Sequence, residues 1–87
     1  MTTDAINVIL DKAWELTSHA LISVDNGKRF NISPDGWNWK VYDGLKILCI
    51  YNMESGMETY VDTEYISEII IKTDEQHSLV KDEQRLP

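Results

Sequence analysis

Eighty-seven residues make one domain at most, with room for one modest core and a stability of about 5 kcal/mol. Fifteen acidic against eight basic side chains give a formal charge of −7, which sets the chain against nucleic-acid phosphates and anionic membrane surfaces and favours encounter with a basic protein surface. No apolar run approaches the roughly 20 residues that span a bilayer, and Met1-Thr2-Thr3-Asp4 lacks the basic region of a secretory signal, so a cytoplasmic protein is predicted.

Residues 4–17 carry helical periodicity. Ile6, Ile9, Leu10, Ala13 and Trp14 share one face, while Asn7, Asp11, Lys12 and Glu15 point away. Thr3 or Asp4 is placed to cap the start, and Asp4 suits the positive end of the helix dipole. Trp14, on the apolar stripe, is expected to plug the core rather than stack on a ligand. A strand over Ala20–Asp25 and its return over Lys28–Ile32 flank Asn26-Gly27, the residues of a type I′ turn. Leu21, Val24, Phe30 and Ile32 supply the apolar positions of this hairpin. Asn31-Ile32-Ser33 matches a glycosylation sequon but falls within a strand, and is read as a chance match. Ser33-Pro34-Asp35-Gly36 then makes a turn.

Trp37–Tyr42 is the third strand. A two-residue turn at Asp43-Gly44 predicts that Tyr42 faces Leu45, Val41 faces Lys46, Trp39 faces Leu48 and Trp37 faces Ile50. One sheet face then holds Trp37, Trp39, Val41, Leu48 and Ile50; the other holds Lys40, Tyr42, Leu45, Ile47, Cys49 and Tyr51. The central run Lys46–Tyr51 is apolar on both faces, so either the helix or a partner covers the second one. Trp37 and Trp39 are accordingly core residues or, if exposed, the apolar anchor of a binding patch. A three-residue loop at Glu54-Ser55-Gly56 brings Met53 against Met57 and leads into the fifth strand, Met57–Asp62. Glu58, Tyr60 and Asp62 share one face of that strand, with Thr59 and Val61 on the other. Thr63-Glu64-Tyr65 reads as a short helical turn, and Ser67–Lys72 as a final Ile-rich strand. From Thr73 the composition turns polar, which predicts a frayed tail over 73–87 outside a single domain of residues 1–72.

The fold class is therefore α+β: an N-terminal amphipathic helix, then a five- to six-stranded antiparallel meander forming a small barrel or a curled sheet. The hairpin Leu21–Phe30 with its Asn26-Gly27-Lys28, then Tyr60-Val61-Asp62, Tyr65-Ile66 and Ile69-Ile70-Ile71, resembles the Sm-like/Hfq type of small bent barrel, or an SH3-like one. The resemblance implies a barrel with the helix packed on it, and in that family an RNA-binding pore lined by basic residues. Here Asp62 and Glu64 stand before the last strand, where they would repel RNA.

No motif for chemistry emerges. His19 and His77 lie far apart in sequence and Cys49 is alone, so neither a zinc-ligand spacing nor a disulfide is present. Cys49, between Leu48 and Ile50, reads as a small buried hydrophobe. All four glycines fall in turns, and no phosphate-cradling loop or nucleophile elbow is found; the reading is a non-enzyme with no cofactor and no metal.

Charge, in contrast, is organised. Residues 28–46 hold Lys28, Arg29, Lys40 and Lys46 against Asp35 and Asp43, a balance of +2 that leaves −9 for the rest. Between Lys46 and Lys72 only acids occur: Glu54, Glu58, Asp62, Glu64 and Glu68. That run either protects a sheet edge from further pairing or contacts a basic partner, with Tyr60 and Tyr65 interleaved. The expected contact set is Glu58, Tyr60, Asp62, Glu64, Tyr65 and Glu68, with Trp37 and Trp39 added if exposed. In size, acidity and lack of catalytic apparatus the chain is similar to phage-encoded inhibitors of host defence and to bacterial immunity proteins, which implies inhibition or adaptation of a protein with a basic surface, itself in some cases a nucleic-acid-binding protein. The alternatives are a barrel binding RNA or a small ligand through Lys28, Arg29, Lys40, Lys46 and Tyr42, and a self-associating structural domain forming homo-oligomers.

Overall fold

In the computed structural model, which describes residues 1–72, the chain runs α1 (Thr3–Glu15), β1 (His19–Val24), β2 (Arg29–Ile32), β3 (Trp37–Tyr42), β4 (Ile47–Asn52), β5 (Glu58–Asp62), a 3₁₀ turn (Thr63–Tyr65) and β6 (Ile66–Lys72). The tail expected from Thr73 lies outside the described residues. The α+β class, the antiparallel strands after an N-terminal helix and the helical turn before the last strand match the sequence reading; the strands do not form one continuous meander, and they do not close into a barrel. The six strands form two antiparallel three-stranded sheets, ordered β2-β1-β6 and β3-β4-β5. Two interruptions break the meander. Gly36, at φ 86°, ends the β2–β3 turn in the left-handed region, and the 3₁₀ turn redirects the chain after β5. The last strand therefore pairs with the first, Ala20 facing Ile71 and Ile22 facing Ile69.

The helix begins one residue earlier than predicted. Thr2 is its cap, its hydroxyl accepting from the Ala5 N–H at 3.2 Å, while Thr3 lies inside the helix and donates its hydroxyl to the Asp43 carboxylate. Ile6, Leu10 and Ala13 are fully buried, as the periodicity requires, and Trp14 packs partly buried against them. At the other end the Ser18 N–H donates to Ala13 C=O (2.8 Å) and the Thr17 N–H to Trp14 C=O (3.1 Å). Those two bonds make a Schellman motif, with Thr17 in its left-handed position at φ 54°.

Turn chemistry places the hairpins, with three corrections to register. The β1–β2 loop is a three-residue turn in which Gly27 alone takes positive φ, rather than the I′ turn that would need it at Asn26 as well. Between β3 and β4 the loop spans 43–46, so Tyr42 faces Ile47, Trp39 faces Ile50 and Trp37 faces Asn52, two residues away from the predicted pairing. Lys46, not Gly44, takes the left-handed conformation there. Between β4 and β5 the Asn52 N–H donates to Met57 C=O (2.9 Å), so Met53 and Met57 do not face each other and both are exposed. A slip of two residues preserves the faces, because side chains alternate with period two. Val41, Leu48 and Ile50 thus still point inward across the β3–β4 pair, and Val61 joins them from β5 opposite Leu48.

One core lies between the inner faces of the two sheets and α1. Ala20, Ile22, Val24, Ile32 and Ile66 enter it from the first sheet, Leu48, Ile50 and Val61 from the second. Leu21, one of the hairpin's apolar positions, lies half-buried on the other face of β1, opposite Ile70. Helix and first sheet together cover the inner face of the second. Its outer face is a grid in which Tyr42, Ile47 and Asp62 align in one row, Lys40, Cys49 and Tyr60 in the next, and Asn38, Tyr51 and Glu58 in the third. The core cluster leaves these residues out.

Candidate functional site

Where β5, the edge of the second sheet, passes the tip of the β1–β2 hairpin, an open cleft of about 540 Å³ forms. Tyr60, Val61 and Asp62 line it from β5, Tyr65 from the 3₁₀ turn, and Val24, Asp25, Asn26, Lys28 and Phe30 from the hairpin. Its floor is apolar because Val24 and Val61 face the core. Its walls are aromatic: Tyr60 and Tyr65 are 58% and 59% exposed, and Phe30 is half-buried beside them. Asp25 and Asp62 bring two carboxylates and Lys28 one ammonium.

One backbone bond ties the two sides together, and side-chain caps fix each side. The Asp25 N–H donates to Tyr65 C=O at 2.9 Å, tying the hairpin to the 3₁₀ turn. Asp62 caps that turn, its Oδ1 accepting from the Glu64 N–H at 2.9 Å. The hairpin tip is tightened in the same way by Asn26 Oδ1, which accepts from the Lys28 N–H at 2.9 Å. Each contact satisfies backbone donors that a loop would otherwise leave to water, so the cleft is shaped before any ligand arrives.

Tyr60 has a second role. Its hydroxyl donates to Glu58 Oε2 at 3.1 Å. That bond to a carboxylate, with a smaller contribution from Cys49 across the ladder, pushes the phenol up to about 12. A phenolate beside Glu58 would face like charge and lose its hydrogen bond, so Tyr60 stays a neutral donor. Cys49, only 4% exposed beneath this face, is buried as its apolar neighbours predicted.

Tyr60, Asp62 and Tyr65 of the predicted contact set thus meet in one place, with Glu58 hydrogen-bonded to Tyr60. The others lie elsewhere. Glu64 borders a smaller recess of about 370 Å³ with Met1, Thr3 and Lys46, and Glu68 faces Ser23 on the first sheet. Trp37 and Trp39 are half-buried against the core; Trp39 meets Trp14 edge to face, ring centroids 6.3 Å apart at 76°. The basic residues are divided as well: Lys28 in the cleft, Arg29 beside it, Lys40 over the Tyr42 ring at 5.0 Å, and Lys46 near Glu64.

Sequence reasoning missed Asp25, Phe30 and Val24 as site residues. Asn26-Gly27 marked the hairpin tip, but no local signal says that the tip lies beside Tyr65. That proximity follows from β6 pairing with β1, Val24 facing Ile66. Among the described residues no group of three or more His, Cys, Asp and Glu is placed to hold a metal ion, and no helix is long and apolar enough to cross a membrane. No protein-family model, curated protein or solved structure matches this chain.

Proposed function

We propose that this chain is a small acidic protein-binding module that inhibits or adapts a partner with a basic surface, in the manner of anti-defence or immunity-type inhibitors, and that the partner docks on the cleft between β5 and the β1–β2 hairpin. The observation that carries the reading is the convergence of Tyr60, Tyr65 and Asp62, spread over six positions of an acidic run, with Asp25 and Phe30 on one preformed concave surface. Exposed aromatic rings over an apolar floor supply desolvation energy, and the carboxylates supply steering and register. The net charge of −7 extends that steering to the whole molecule.

The test is kinetic. With the partner recovered by photo-crosslinking from position 65, Glu58→Lys combined with Asp62→Lys is expected to slow association about tenfold at low salt and to flatten its salt dependence. Association that stays equally fast and equally salt-dependent would overturn the acidic-face reading.

A second reading, self-association, has one observation in its favour. The outer face of the second sheet carries Tyr42, Ile47 and Tyr51, half-buried side chains that belong to no part of the core cluster. Light scattering that finds a monomer at high concentration removes it.

A further inference from the structure

Resting on the reading of the cleft as a docking site, we infer that its anchor is a single arginine side chain of the partner. Three features of the cleft select this group. Tyr60 and Tyr65 offer exposed rings, and the half-buried Phe30 adds a third aromatic surface. A planar, weakly hydrated guanidinium stacks on such faces, whereas the compact ammonium of lysine keeps its water more strongly and gains less from an aromatic, apolar-floored site.

Carboxylates stand on both sides of the cleft, Asp25 on the hairpin and Asp62 on β5. The cap bond engages Oδ1 of Asp62 with the Glu64 N–H, so Oδ2 remains for a ligand. A guanidinium has enough donors to serve two separate carboxylates while its plane lies against a ring.

Local charge sets the number of anchors. Among the side chains that line the cleft, Lys28 offsets one of the two carboxylates, leaving a net single negative charge. One positive side chain balances it, whereas a run of them would meet Lys28 at close range. The Asp25–Tyr65 backbone bond and the two Asx turns hold these groups in place beforehand, so binding orders little of the protein.

The experiment is a chemical-shift titration of the full chain at low ionic strength with three blocked peptides, Gly-Gly-Xaa-Gly-Gly, in which Xaa is arginine, lysine or citrulline. The arginine peptide is expected to shift amides within 24–30 and 60–65, to bind about fivefold more tightly than the lysine peptide, and to outcompete neutral citrulline by more than that. Tyr65→Ala and Asp62→Asn, the latter keeping an oxygen for the turn cap, are each expected to weaken the arginine peptide at least about fivefold while the rest of the spectrum is unchanged. Equal binding of the arginine and lysine peptides at the cleft would overturn the arginine inference and leave the basic-partner reading standing. Equal binding of citrulline, or arginine-induced shifts confined to other residues, would overturn it as well. Loss of the salt-dependent partner association in the Glu58→Lys/Asp62→Lys variant tests the underlying reading separately, since it does not depend on which cationic group is bound.

Discussion

Thr17 occupies the position after α1 that glycine usually fills, at φ 54° with both Schellman bonds made. A β-branched side chain in the left-handed region crowds its own backbone, and Thr17 is exposed, so its side chain returns little packing. Thr17→Gly is expected to stabilise the domain by about 1 kcal/mol in urea unfolding, the relief of strain exceeding the added freedom of the unfolded chain. At the same scale, Tyr60 is held neutral by Glu58, with its ionisation moved from 10.0 up to about 12. The folded state binds this proton more tightly than the unfolded chain does. The stabilisation is therefore complete below pH 10 and disappears as pH rises through about 12. In Glu58→Ala, a titration followed through the tyrosine ring carbons is expected to show Tyr60 ionising near the ordinary value of about 10.

Elements take their shape from single side chains at their ends. The 3₁₀ turn depends on Asp62, whose carboxylate caps it and whose position lines the cleft. Asp62→Ala is expected to cost about 1 kcal/mol of stability, while Asp62→Asn, which keeps an acceptor for the Glu64 N–H, costs only a few tenths. Thermal unfolding of the two variants side by side distinguishes capping from charge. The outer face of the second sheet shows how an apolar central strand is accommodated without a covering helix. Tyr60 and Lys40 flank Cys49 across the ladder, and their long side chains shield it while keeping polar ends in water. This is also why alternation fails along β4. Leu48 and Ile50 face the core, whereas Cys49 is buried by its own sheet.

The molecule as a whole depends on one core shared by a helix and two sheets that are not paired to each other. α1 packs on β1, β3 and β6, and so bridges the sheets. Leu10, fully buried on that bridge, is the residue on which this arrangement is most readily tested. Leu10→Ala is expected to cost about 3 kcal/mol out of a total near 5, and to lower the thermal midpoint by more than about 10 °C. A much smaller loss would mean that the sheets hold together without the helix.

Much of this was legible in the residues alone. The helix stripe, the strands, the positions of the turns and the burial of Cys49 all rest on local periodicity and turn chemistry, which act within a few residues. Face assignments survived even where the β3–β4 register was wrong, because a two-residue slip returns every side chain to its side. The tertiary structure alone decided that β6 joins β1 rather than β5, that the strands divide into two sheets, and that Trp39 turns to Trp14 while Tyr60 and Tyr65 stay exposed. An edge strand offers the same backbone donors and acceptors to any neighbour, and its choice rests on contacts between residues more than forty positions apart, such as Ala20 with Ile71. The cleft exists only because that choice brings residues 24–30 beside residues 60–65.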